Sequence, residues 1–132
     1  MYLIRNESEL FGFVKKNYIS DLKSCEDEFS FYDCYSEEKK LDIELKCRQK
    51  HYDDLLIEKS KYDKLLDRAC LFKTKPLYIN STPKGVYVFD LERCPMPNWE
   101  TRDMPATSHF SNREKVKKVV GYFHIKNSLK LA

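Results

Sequence analysis

The sequence predicts an α/β fold, a mixed sheet of four or five strands flanked by helices. Three observations predict it. Apolar and polar residues alternate strictly through Leu41–Cys47, two stretches carry apolar residues at helical spacing, and two apolar-dense runs follow Pro76.

Asn6, with Glu9 three residues on, has the form of a helix-opening capping box. Leu10, Phe13, Val14 and Tyr18 then recur at helical spacing, predicting a helix to about residue 23, weakened by Gly12. The aromatic run Phe29–Tyr35 reads as a strand, and Ser36–Lys40 as a polar turn. The return strand, 41–47, puts Leu41, Ile43, Leu45 and Cys47 on one face and Asp42, Glu44 and Lys46 on the other. From about His51 to Cys70, the residues Tyr52, Leu55, Leu56, Tyr62, Leu66 and Ala69 predict the longest helix, stopped by Pro76. Leu77–Asn80 and Val86–Leu91 read as two strands about the turn Ser81–Gly85. Cys94–Asn112, with Pro95, Pro97, Pro105 and Trp99, reads as a loop. Arg113–Ile125 reads as a short basic helix running into a strand over Val119–Ile125.

At 132 residues, with 42% hydrophobic and 34% charged side chains, the chain fits one globular domain spanning 1–132. No apolar stretch approaches the roughly 20 residues a membrane helix needs, and Met1–Arg5 has no signal-peptide pattern, so a soluble cytoplasmic protein is expected. Cys25, Cys34, Cys47, Cys70 and Cys94 are scattered without a C-x-x-C pair, which fits reduced thiols better than disulfides or a zinc site. His51, His109 and His124 are isolated and carry no assigned role. Charge is uneven: residues 1–57 hold 9 Lys/Arg against 13 Asp/Glu, and 58–132 hold 15 against 8. Carboxylates beside a basic half suit a metal-dependent enzyme acting on a polyanion; a solvated lysine-rich surface accounts for the charge equally well.

The aspartate of the first hairpin strand, Asp33, and the triplet Glu44-Leu45-Lys46 on the second resemble the signature of the PD-(D/E)XK, or restriction-endonuclease-like, nuclease superfamily. The resemblance covers residues 6 to about 91, matching an αβββαβ core, with 92–132 as a basic extension. Tyr32 stands where the name-giving proline would be. Glu58-Lys59-Ser60-Lys61-Tyr62 is similar to the Gln-x-x-x-Tyr element of an exonuclease branch, with Glu in place of Gln.

The resemblance implies a deoxyribonuclease dependent on Mg²⁺ or Mn²⁺, of phage or mobile-element type, working in the host cytoplasm if phage-encoded. Asp33 and Glu44 would be metal ligands, with the backbone carbonyl of Leu45 as a third, and Lys46 would orient or deprotonate the attacking water. Asp42 competes with Asp33 as the first carboxylate. Glu9 is the candidate acid from the first helix and Glu7 its competitor, while both also suit a helix N-terminus. Glu58, Lys61 and Tyr62 are accessory candidates, and Tyr62 serves equally as core. Arg113, Lys115, Lys117, Lys118 and Lys126 form the densest basic segment, the expected contact to DNA or else a solvated face. Three alternatives stay open: a solvent-facing hairpin with inconsequential ion pairs, a nuclease-fold module that binds nucleic acid or protein without cutting, and a small virion or assembly protein. A homodimer is compatible with all of them.

Overall fold

Both faces of the strand Leu41–Cys47 are covered by protein, and that placement organises the molecule. The structure is a computed structural model that describes residues 4–25, 33–105 and 115–132. In chain order the elements are α1 (Glu7–Asn17), β1 (Lys23–Ser24), β2 (Cys34–Ser36), β3 (Leu41–Cys47), β4 (Asp54–Glu58), α2 (Lys59–Phe72), β5 (Lys75–Thr82), β6 (Gly85–Asp90), β7 (Glu100–Pro105), β8 (Lys115–His124) and β9 (Leu129–Lys130), with a 3-10 turn at Ile125–Asn127. The main sheet runs β1-β2-β3-β5-β6-β9; a smaller one runs β4-β8-β7. Only β3 and β5 pair in parallel, Glu44 against Tyr78 and Lys46 against Asn80, so the sheet is mixed as expected.

The Asn6 carboxamide oxygen accepts the Glu9 N–H at 2.8 Å and opens α1. The reciprocal bond is displaced by one residue: the Glu9 carboxylate accepts from the Arg5 N–H. The helix ends at Asn17, short of the expected residue 23, because Tyr18 leaves helical geometry. Ile19 and Leu22 are nevertheless buried in the core under α1, and for that reason the apolar pattern outlasts the helix.

Residues 29–32 of the first expected strand lie outside the described residues; β2 takes only Cys34–Ser36. The helix expected from His51 to Cys70 is corrected more heavily. Residues 54–58 are strand β4, whose Leu55 and Ile57 alternate into the core, while Tyr52, counted toward the helical pattern, is exposed. Leu56 masks this period of two in the sequence. The helix α2 is ended by Lys73 in left-handed geometry (φ 56°), its N–H on the Ala69 carbonyl, and not by Pro76. Pro76 enters β5 ahead of the first rung with β6, where a missing N–H is tolerated.

Two further expectations change. The stretch read as a loop contains β7, and the residues read as a basic helix form β8, with no helical turn among the described residues 115–124. Long-range pairing with β4 and β7 overrides a local pattern that is ambiguous between the two periods. Segment 92–132, expected as an extension, is woven into both sheets, since β9 pairs with β6.

One core, Leu10, Val14, Ile43, Leu45, Ile79 and Val86 among it, fills the space between α1 and the main sheet. The other joins α2 to both sheets through Leu55, Ile57, Tyr62, Leu65, Tyr78, Phe89 and Phe123. Asp42 and Glu44 therefore lie on a covered face, 1% and 4% exposed. This overturns the solvent-facing hairpin. Among the described residues no helix is long and apolar enough to cross a membrane, and no disulfide joins any of the five cysteines.

Candidate active site

Because α2 lies over the even-numbered side of β3, each buried carboxylate there must find a cation, and each finds a different one. Asp42 accepts from Arg68 Nε at 3.0 Å and from Thr74 Oγ1 at 2.5 Å. Both partners come from the far end of α2 and the turn after it. Glu44 is paired with the Lys61 ammonium in the first turn of α2. Two residues further along β3, Lys46 is half-buried.

Asp33 sits at the bend leading into β2. Its backbone N–H bonds the Ile43 carbonyl at 2.9 Å, and its Oδ2 accepts the Leu45 N–H at 2.8 Å. Asp33 is thus pinned to β3 at two points that flank Glu44, once through its backbone and once through its carboxylate. Its charge is felt there. Burial, then the charge of Asp33, pushes the Glu44 carboxyl up to about 7, while Lys61 and its hydrogen bond pull it down. Glu7, in the first turn of α1, is also raised, by burial and then by Asp33, with Lys46 and Lys61 acting against the rise. Burial lowers the Lys61 ammonium, but the charge and hydrogen bond of Glu44, with Asp33 and Glu58, outweigh that and hold it above its usual value.

The structure brings Asp33, Glu44, Lys46, Lys61 and Glu7 into one electrostatic neighbourhood. Glu9 stays out of it, half-buried and ion-paired to Arg5 at 2.8 Å. Asp42 is consumed by Arg68 and Thr74. Tyr62 belongs to the core, its ring 5.1 Å from Trp99 and 6.2 Å from Phe123. Glu58 bonds Lys118 at 2.9 Å. Of the expected basic segment, Lys115, Lys117 and Lys118 lie on β8, Lys126 lies past its opposite end, and Arg113 lies outside the described residues.

Sequence reasoning missed one group. Arg48, half-buried, donates through Nε to Asn80 Oδ1 at 3.0 Å and through Nη2 to the Leu56 carbonyl at 2.6 Å and Tyr78 Oη at 3.0 Å. All three acceptors are neutral, and burial pushes the Tyr78 phenol up to about 12, so it stays protonated. A signal was present: 42, 44, 46 and 48 continue a single period of two.

Carboxylate and carbonyl oxygens are the hard donors that Mg²⁺ and Mn²⁺ prefer. Among the described residues no set of three or more His, Cys, Asp or Glu side chains is arranged to hold a metal. Asp33 and Glu44 are two, and Mg²⁺ commonly takes one or two carboxylates and keeps several waters. Burial and then repulsion from Asp33 push Glu44 toward neutrality, a condition that a bound cation relieves. The residues fit such an ion.

A mixed sheet between two helices, with one carboxylate at the bend before β2 and a second carboxylate and a lysine on β3, has the architecture of the restriction-endonuclease-like fold. The solved structure of Hjc from Archaeoglobus fulgidus, a Holliday junction resolvase from an archaeal hyperthermophile, is similar to this chain with a TM-score of 0.61. Sequence identity is 16%, and the match covers 97% of this chain and 90% of that one. The correspondence extends past residue 91 into the smaller sheet. No family model matches the chain, and no curated protein matches it.

Proposed function

We propose that the chain is a metal-dependent deoxyribonuclease that hydrolyses phosphodiester bonds at Asp33, Glu44 and Lys46. The observation that carries this reading is the buried Glu44 carboxyl, raised to about 7 beside Asp33 and countered by Lys61, on the strand that also bears Lys46. The neighbouring buried carboxylate Asp42 is, by contrast, met by both Arg68 and Thr74. Asp33, Glu44 and Glu7 together carry one more carboxylate than Lys46 and Lys61 offset.

Asp33 and Glu44 would hold Mg²⁺ or Mn²⁺, with the Leu45 carbonyl, and Glu7 is preferred to Glu9 as the acid of α1. The ion would acidify water and offset charge on the phosphate and leaving oxygen. Lys46, on the same face two residues along, orients the attacking water and balances the scissile phosphate. Lys61 neutralises Glu44 in the metal-free protein; once relieved of that partner, its half-exposed ammonium is available to meet phosphate. Arg48 holds β4 to the site and extends its positive side. The likeness to a junction resolvase supports branched DNA as a substrate. In a phage or mobile element such an activity would process replication or recombination intermediates.

Plasmid, linear duplex and four-way-junction DNA incubated with and without Mg²⁺ or Mn²⁺ test the reading. Cleavage that requires metal and disappears in Lys46→Ala is expected. No cleavage of any of the three by the wild type overturns it.

A further inference from the structure

The smaller sheet contains a feature that the catalytic reading leaves unused. β8 pairs with β4 only from Val120 to His124. From Val119 outward it continues with β7 alone, through the rungs Thr101–Val119, Arg102–Lys118, Asp103–Lys117, Met104–Val116 and Pro105–Lys115. Every residue of these rungs is exposed except Met104 and Lys118, which are half-buried. At about 3.4 Å per residue, the result is an arm some 15 Å long that, among the described residues, is largely exposed, its Lys118 face turned toward Glu58.

Such a two-stranded ribbon is marginal in water without something to pack on. Its charges make it more so. Four cations, Arg102, Lys115, Lys117 and Lys118, stand against one carboxylate, Asp103, and Arg102 lies directly across the ladder from Lys118. Like charges opposite one another weaken a ladder. They are held in place, however: Lys118 by Glu58 at 2.9 Å, and Arg102 by a hydrogen bond to the Tyr122 hydroxyl. By strand alternation Arg102 and Lys118 share one face of the ribbon and Lys115 and Lys117 the other, with Asp103 across from Lys117, so the arm presents cations on both faces, as a polyanion that flanks it on two sides requires.

Its root adjoins the candidate active site. Glu58, which grips Lys118, immediately precedes α2, and its charge acts on Lys61, the partner of Glu44. A polyanion on the arm would thus run past the catalytic edge. A second copy of the chain is a poorer occupant of the β7 edge, because Pro105 lacks an N–H to donate to it.

We propose that the β7–β8 ribbon is a DNA-gripping arm that lies along a groove of the duplex and sets Arg102, Lys115 and Lys117 on its phosphates. The major groove is wide enough for a two-stranded ribbon. This rests on the reading of the chain as a DNA enzyme, yet it concerns binding and not the chemistry.

The test is Arg102→Ala/Lys115→Ala/Lys117→Ala, which leaves the Lys118–Glu58 pair and the catalytic strand untouched. Binding of a labelled 30-base-pair duplex is followed by fluorescence anisotropy without divalent metal, from 50 to 200 mM salt, with circular dichroism melting to confirm the fold. Each phosphate that the variant no longer neutralises lowers the slope of log K against log salt by about 0.9, so a slope shallower by about 2–3 and a Kd raised at least roughly tenfold at 100 mM are expected. An unchanged slope and Kd overturn the arm, as does a wild type that does not bind duplex. So does an equal loss on single-stranded DNA, or a dimer-to-monomer change in light scattering with the slope intact. Because no cleavage is measured, a wild type that binds through the ribbon but never cuts would sink the nuclease reading and leave the arm standing.

Discussion

Glu44 and Lys61 form an ion pair across the boundary between β3 and α2, with the carboxylate 5% exposed and the ammonium 48% exposed. The asymmetry matters: Glu44 bears most of the desolvation cost while Lys61 keeps a path to solvent. A buried acid whose cation faces outward is held charged by a group that a substrate can reach.

Stability should follow the protonation of Glu44. Its carboxyl is raised from 4.5 to about 7, so the folded protein binds that proton more tightly than the unfolded chain does. Stability from this group is fully present below about pH 4.5 and is lost as pH rises through about 7, amounting to on the order of 3 kcal/mol. Metal-free protein is therefore expected to melt lower at pH 8 than the Glu44→Gln variant, and the two should converge near pH 5. Mg²⁺ at pH 8 should raise the melting temperature of the wild type and not that of the variant. Equal pH dependence in both proteins, measured by thermal melts, would contradict the assignment.

Lys61→Met should move the Glu44 titration upward, because it removes a nearby positive charge and a hydrogen bond that both favour the carboxylate. Carbon NMR of glutamate-labelled, metal-free protein reads this directly. A Glu44 midpoint unchanged or lower in the variant would show that Lys61 is not its partner in solution.

Asp33 and Asp42 should part company under mutation. Asp42 is 1% exposed and serves Arg68 and Thr74, so Asp42→Ala should cost about 2–4 kcal/mol by stranding them. Asp33→Asn keeps an acceptor for the Leu45 N–H and removes a charge that opposes Glu44. It should leave the fold intact, lower the Glu44 midpoint and abolish metal-dependent cleavage. Urea unfolding and cleavage assays on both variants separate the roles. A cleavage-competent Asp33→Asn protein would return the first carboxylate to Asp42.

How much of the fold and site is legible in the sequence depends on the range of the interactions involved. Leu41–Cys47 alternates so strictly that β3 and the shared face of Asp42, Glu44 and Lys46 need no tertiary information. Which of those side chains is available for chemistry does need it, because Asp42 is claimed by Arg68 and Thr74, 26 and 32 residues away. Glu9 and Glu7 likewise cannot be separated by sequence: Arg5 binds Glu9 locally, while the influence of Asp33 on Glu7 arises only in the folded chain. β4 and the first half of β8 escape a sequence reading, although the strand expected over Val119–Ile125 is there, because Leu55-Leu56-Ile57 and Val116–Val120 satisfy either period in isolation. Their mutual pairing, about 65 residues apart, selects the strand.

That pairing leaves its own fingerprint at Gly121, opposite Ile57. A methyl group there would meet Trp99 carbons at 2.9 Å and the Pro97 side chain closer still. Gly121 is thus the point at which the Pro97–Trp99 segment lies flat on β8, and Trp99 in turn packs edge-on against Tyr62 of α2. Gly121→Ala forces that segment away and should cost about 1–3 kcal/mol by overpacking. Trp99 is the only tryptophan, so its fluorescence should shift to longer wavelength as the ring gains water. The arm begins at the next rungs of the same strand, so DNA affinity should fall with stability in this variant while Glu44, held by β3 and α2, titrates as before. An unchanged emission maximum with wild-type stability would mean that the loop does not lie on β8.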